Sequence, residues 1–150
     1  STDQGELYVG VGGNHISSTE DGDSTPGYGY SYMLQNYPGA NEGEYVAERL
    51  WISQLEYCPN PGMNMDAEGR LVTSADGQPI FSSDKSPSDT SETPGNFYLF
   101  DVKSGQLYWK YATPLMNWAM AINANSSAVF AGSDDGSVYY WGAPSAGEDC

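Results

Sequence analysis

The chain has 150 residues, 20 acidic against 5 basic side chains and a formal net charge of −15. Such a surface repels nucleic-acid phosphates and anionic lipid, so neither is expected as a partner. No apolar run is long enough for a membrane-spanning helix, which needs roughly 18 residues or more, so membrane insertion is not expected either.

The first strand signal is Leu7-Tyr8-Val9-Gly10-Val11, where apolar residues sit among small ones. Gly10-Val11-Gly12-Gly13-Asn14 then leads to His15, the only histidine. A phosphate-binding loop would need a following Lys and an opening helix, and neither pattern is present. One histidine cannot complete a Ser-His-Asp arrangement, so no catalytic residue is assigned.

Residues 17–29 (SSTEDGDSTPGYG) and 82–95 (SSDKSPSDTSETPG) are rich in Ser, Thr, Pro, Gly and acids. Neither buries enough apolar surface to fold alone, so both are expected as surface loops. The first contains Glu20, Asp21 and Asp23. Three acids in four residues suit Ca2+, but the alternating ligand loop with its closing Glu is missing.

Residues 44–57 admit two patterns. Val46, Leu50 and Leu55 share roughly one helical face, whereas alignment of Leu50-Trp51 with Tyr108-Trp109, at an offset of 58 (109 − 51), predicts a strand. A second correspondence supports an internal repeat. Residues 70–77 (RLVTSADG) align with 129–136 (VFAGSDDG) at an offset of 59 (133 − 74), and continuation at that offset sets Ile80 and Phe81 on Tyr139 and Tyr140. Residues 7–11 supply a third copy, matching 129–133 at an offset of 122 (129 − 7).

From Asn96 to Trp141 aromatic and β-branched residues alternate with polar ones, broken by Ser-Gly and Asp-Gly pairs. This predicts short antiparallel strands joined by tight turns. Asp134-Asp135-Gly136 is read as a hairpin turn rather than a cation site. Trp118, with Met116 and Asn117, falls in a connection and is a candidate aromatic anchor for a sugar or a protein. Asn125-Ser126-Ser127 is a glycosylation acceptor triplet between two predicted strands.

The run Asp101, Ser104-Gly105, Trp109 and then Gly132 to Gly136 resembles one blade of the quinoprotein-type (PQQ-repeat) β-propeller. The resemblance covers about 45 residues well and about 90 more loosely. It implies that Asp101, Gly105, Trp109, Trp51, Gly132, Asp135 and Gly136 build blades. It also implies that Trp51 and Trp109 dock adjacent blades, with the indole N–H bonded to a backbone carbonyl. The cofactor residues of that family, an adjacent cysteine pair, an Arg and Glu/Asn/Asp around Ca2+, have no counterpart here. No cofactor is therefore expected; Ca2+ at residues 20–23 is the weaker reading, and PQQ lacks its residues.

The expected fold is all-β: one domain over 1–150 of antiparallel strands in propeller-type blades, about 2.5 repeats. That is too few for a closed ring. Three arrangements remain: part of a longer propeller, blades completed by other chains or copies, or a small sandwich. Cys58 and Cys150 could bridge each other in an oxidising compartment, or Cys150 could pair elsewhere. Scarce lysine with abundant Tyr, Gly, Ser, Asn and Thr suits an extracellular or cell-surface protein. The expected function is a non-catalytic structural and interaction module, glycosylated, assembling with itself or with other chains; a head-to-tail contact that does not close gives a filament. The alternatives are a fragment of a quinoprotein-like dehydrogenase and a carbohydrate- or Ca2+-binding propeller.

Overall fold

The computed structural model describes residues 8–15, 28–77 and 94–142. The predicted loops at 17–29 and 82–95 fall outside these, apart from the last two positions of each. Ten strands are present among the described residues: β1 (Tyr8–His15), β2 (Tyr28–Pro38), β3 (Tyr45–Gln54), β4 (Cys58–Met65), β5 (Leu71–Gly77), β6 (Gly95–Asp101), β7 (Leu107–Thr113), β8 (Ala121–Ile122), β9 (Ala128–Gly132) and β10 (Val138–Gly142). No described residue is helical. Residues 45–54 form a strand, as the Trp51–Trp109 alignment predicts, and Gly10 to Gly13 lie within β1 rather than in a loop.

The strands make three antiparallel sheets in chain order. The first is β1-β2-β3, the middle one is the meander β4-β5-β6-β7, and the third is β8-β9-β10. With the middle sheet as a complete four-stranded blade, the first contains its second to fourth strands and the third its first to third. The fold is all-β, with antiparallel strands in incomplete propeller-like blades. The three sheets stack as successive layers rather than as a two-sheet sandwich.

The middle sheet is covered on both faces, so β5 and most of β6 are buried without alternation. Val72, Tyr98, Phe100 and Val102 pack against Met33, Trp51 and Leu55 of the first sheet. Leu71, Ala75, Phe97 and Leu99 pack against Met120, Val129 and Ala131 of the third, with Trp109, Tyr139 and Trp141 at the margin. Burying a side chain such as Phe97 contributes about 1.5–3 kcal/mol, so these two seams are the core.

Pairing confirms the repeat in detail. Met33 pairs with Trp51, and the register shifts immediately after it, between Met33 and Leu34. Leu99 pairs with Trp109, and the register shifts between Leu99 and Phe100. A β-bulge at the same point beside the same tryptophan places Met33 on Leu99 and Trp51 on Trp109. Bulges re-aim a strand and increase its twist, so both sheets bend alike.

The hairpins differ beyond the bulge. After Phe100 pairs with Leu107, the middle sheet ends within one residue. In the first sheet four more pairs follow, from Gln35–Glu48 to Pro38–Tyr45. At 3.3 Å per residue this arm extends roughly 13 Å further. It leaves Tyr37, Tyr45 and Val46 exposed.

Candidate interaction surfaces

Two kinds of joint hold the sheets together, and both are built from the repeat. The first centres on Trp51. Its Nε1–H donates to the Val102 carbonyl at 2.7 Å, in the turn between β6 and β7 of the next sheet. The indole lies so close to Gly105 that a Cβ there would be 2.6 Å from its Cγ. Gly105 also has φ +71°, which disfavours a side chain on its own.

Asp101 fixes the turn. Its Oδ1 accepts from the backbone N–H of Lys103 at 3.0 Å and of Ser104 at 2.7 Å, and from the Ser104 hydroxyl at 2.8 Å. That is the physical use of the Asp-x-x-Ser-Gly spacing: an acid and a hydroxyl cap the turn, and glycine admits the tryptophan. Trp109, the repeat-mate of Trp51, packs against Trp141 of the third sheet with ring centroids 5.0 Å apart.

The second joint is a carboxylate hub at the start of β6. Asp76 is fully buried. Its Oδ1 accepts from the Asn96 backbone N–H at 2.6 Å and from Asn96 Nδ2 at 3.1 Å. Its Oδ2 accepts from the Tyr98 hydroxyl at 2.6 Å and from the Tyr57 backbone N–H at 3.0 Å. The Tyr98 oxygen accepts in turn from the Glu56 N–H at 3.3 Å. Asp76 and Tyr98 thus tie the segment joining β3 to β4 onto the middle sheet.

Burial pushes the Asp76 carboxyl above its ordinary range, against the opposing pull of Tyr98, Tyr57 and Asn96. Tyr98 is pushed up by burial first and then by the adjacent carboxylate. Glu56, at the exposed end, accepts from Lys110 Nζ at 3.0 Å, and that bond is the main cause holding its carboxyl below the ordinary value.

The same device recurs in the third sheet. Asp135 Oδ2 accepts from the Tyr139 hydroxyl at 2.6 Å, and Oδ1 from the Ser137 N–H at 2.7 Å. In both copies the tyrosine follows the donating amide by two residues (98 − 96 and 139 − 137). The spacing of amide and tyrosine is shared, whereas the register is not: Tyr98 pairs with Ser74 and Tyr139 with Ala131. One residue, Gly136, separates the acid from the amide in the third sheet; in the middle sheet the whole 77–95 stretch intervenes. The strand in the place of β10 is accordingly β6. The constant-offset alignment onto Ile80 and Phe81 missed this, and both of those lie outside the described residues.

Further polar contacts close the seams. Ser31 and Ser74 hydroxyls meet across the first seam at 2.8 Å, both buried. Asp66, in the β4–β5 turn, accepts from the Ser126 hydroxyl in the β8–β9 turn and from the Arg70 N–H at 2.8 Å. Asn64 donates to the Met120 carbonyl. None of these bridges was legible in the sequence.

The other predicted positions are dispersed. Asp134-Asp135-Gly136 is a hairpin turn, with Gly136 at φ +83° and its N–H on the Ser133 carbonyl. Gly132 ends β9 opposite Val138. Trp118 is about half exposed, but its Nε1–H donates to Asp134 Oδ1 at 2.6 Å, which pins it to that turn. Asn125 is exposed in the turn before β9, its Oδ1 accepting from the Ser127 hydroxyl at 2.8 Å. His15 is in β1, paired with Tyr28, and Cys58 opens β4 opposite Gly77. Glu20, Asp21, Asp23 and Cys150 lie outside the described residues. Among the described residues no group of three or more His, Cys, Asp or Glu is placed to hold a metal ion.

What remains exposed is as informative as what is joined. The face of the third sheet turned away from the core presents Phe130, Val138 and Tyr140, with the Phe130 and Tyr140 rings 5.1 Å apart. With Phe130 in the place of Leu71, strand register sets Val138 in the place of Leu99 and Tyr140 in that of Asp101. Leu71 and Leu99 are 6% and 0% exposed, against 44% and 81% for Phe130 and Val138.

No family model, no curated protein and no solved structure matches the chain.

Proposed function

We propose that this chain is a non-catalytic structural and interaction module of the extracellular space or cell surface, which works by assembling with itself or with other chains. One observation supports this most: positions fully buried in the middle sheet are repeated on the third sheet as an exposed aromatic and aliphatic face. A contiguous apolar face on an otherwise strongly acidic protein marks an association surface. The tyrosine-bearing arm of β2 and β3 offers a second, smaller contact region. Asp76 and Tyr98, the buried pair whose acidity is shifted, are engaged in bonds that join the first and middle sheets. The acidic, lysine-poor composition and the exposed Asn125 triplet favour the secretory route and a glycan on the β8–β9 turn.

The test is light scattering on the purified chain over a dilution series. The expected result is a reversible assembly larger than the 16.2 kDa chain. A monomer at every concentration, with no partner chain captured by its exposed face, overturns the reading.

A further inference from the structure

We propose that Trp118 and Asp134 form a seat for a cationic side chain, and that the partner it takes is a basic segment of a different protein. This goes beyond the assembly reading above. It names a partner chemistry at residues other than those of the exposed third-sheet face, and it holds whether or not the chain associates with itself.

The connection from β7 to β8 is clamped onto the β9–β10 turn. The Trp118 N–H donates to the Gly132 carbonyl at 3.1 Å, and the Asp134 N–H to the Met116 carbonyl at 3.0 Å. The Ser133 hydroxyl donates to the same Met116 carbonyl at 3.2 Å, and Asn117 forms an isolated bridge with Ser133. On the inner side, the Met116 side chain fills the space where a Cβ on Gly77 would stand. The indole is then pinned at its far edge, Nε1–H donating to Asp134 Oδ1 at 2.6 Å. A ring fixed through both backbone and side chain loses little freedom when a ligand arrives.

Trp51 lies in the first seam, and Trp109 and Trp141 at the margin of the second. Trp118 belongs to neither core and is 48% exposed. Its one donor is turned onto the carboxylate, so the ring shows hydrocarbon outward. An indole face is electron-rich and attracts a cation within about 6 Å of its centroid, more strongly than tyrosine or phenylalanine. The bond to Asp134 polarises the indole further in that direction. It also sets an exposed carboxylate beside the ring, so a cation over Trp118 meets both.

Charge selects the ligand. With 20 acids against 5 bases, the surrounding field concentrates cations and repels anions. A second copy is a poor donor: of its few basic side chains, Arg70 is paired with Glu68 at 2.9 Å and Lys110 with Glu56 at 3.0 Å. The seat therefore calls for a different, basic chain. Arginine fits best, because its planar guanidinium stacks on an aromatic face while its N–H groups reach a carboxylate.

The experiment is proton–nitrogen NMR of the full chain, in which each of the 4 tryptophans gives one indole N–H signal and the signal missing from Trp118→Leu marks the site. The probe is hexa-arginine, titrated at low salt because exposed charges are screened; its affinity is read in parallel from the fluorescence anisotropy of the labelled peptide. The Trp118 signal should shift saturably. Asp134→Asn keeps an oxygen for the indole and removes only the charge. Trp118→Leu and Asp134→Asn should each raise the dissociation constant of the peptide about 5- to 10-fold, with circular dichroism confirming the fold. An affinity unchanged in both variants means that the acidic surface at large binds the peptide, and overturns the seat. Tetramethylammonium that saturates the Trp118 signal at a lower concentration than hexa-arginine overturns the protein partner in favour of a small organic cation. A shift with maltohexaose and none with hexa-arginine overturns the cation in favour of a sugar. Binding of hexa-arginine at Trp118 by a chain that is monomeric at every concentration supports the seat and counts against self-association.

Discussion

Gly105→Ala isolates the joint between the first and middle sheets, because two independent penalties meet at that position. At φ +71° a side chain costs about 1 kcal/mol in backbone strain. The added Cβ would also lie 2.6 Å from Trp51 Cγ, 2.7 Å from Cδ2 and 2.9 Å from its Cβ. The indole must therefore move. Overpacking of this kind costs about 1–3 kcal/mol. Movement also loosens the 2.7 Å bond from Trp51 Nε1 to the Val102 carbonyl, and an unmade buried bond costs about 1–3 kcal/mol. The expected destabilisation is about 3–5 kcal/mol, against about 1 kcal/mol from backbone strain alone.

The assay is urea denaturation at fixed protein concentration, since association adds to apparent stability, as a double-mutant cycle with Trp51→Ala. Without the ring, only the 2.9 Å contact to the Cβ of residue 51 remains. Gly105→Ala should then cost about 1–2 kcal/mol, leaving a coupling of about 2 kcal/mol, well above the scatter of independent sites. Equal costs in the two backgrounds would refute the docking role of Trp51 and reduce Gly105 to a turn glycine.

The remaining expectations concern the buried acids and the surface triplet. The native protein holds the Asp76 carboxyl above its ordinary value of 3.8, so it binds more protons than the unfolded chain as pH rises through that window. Its contribution is present below 3.8 and is lost toward and above the raised native value; the stability of the wild type relative to Asp76→Asn should fall across that window in urea titrations at stepped pH, and a relative rise would contradict it. Ser126 carries φ 60° and bonds the buried Asp66. Ser126→Ala should cost about 1–3 kcal/mol by removing one partner of that carboxylate, which keeps Arg70, and Ser126→Gly about 1 kcal/mol less, because glycine relieves the φ strain; a larger loss for glycine in denaturant melts would refute this. Secretion from a eukaryotic cell should add a glycan mass that Asn125→Gln removes, and an intact mass equal to the sequence value would refute it.

The sequence made the blade visible at positions where local chemistry dictates the residue. Asp101, Ser104 and Gly105 form a turn that few other residues could replace, and the β-bulge pins Trp51 and Trp109 at one point in two sheets. Asp134-Asp135-Gly136 is legible for the same reason, as a hairpin turn that needs positive φ. The bridges Ser31–Ser74 and Asp66–Ser126 were not legible, because they depend on how two sheets are set against each other. Either pair would read as solvent-facing polar residues in a linear scan, and only the stacking of layers buries it.

The Asp76–Tyr98 hub shows where linear comparison fails and why. An offset of 59 is correct through β5, where Ser74 and Asp76 match Ser133 and Asp135. It fails beyond Gly77, the match of Gly136, because the middle sheet then carries a long stretch before Asn96. Strand pairing does not feel that length: closing a longer loop costs only about 0.6 kcal/mol per doubling, while the acid still reaches the amide and the tyrosine hydroxyl. The middle blade therefore accommodates a long insertion between its second and third strands while the acid, the amide and the tyrosine keep their bonds. The same gap separates β1 from β2 in the first sheet, where the bulge and strand register place Gly13 opposite Tyr30, in the position of Asp76 opposite Asn96. The acid that ties the middle sheet to the segment between β3 and β4 is thus absent from the first sheet.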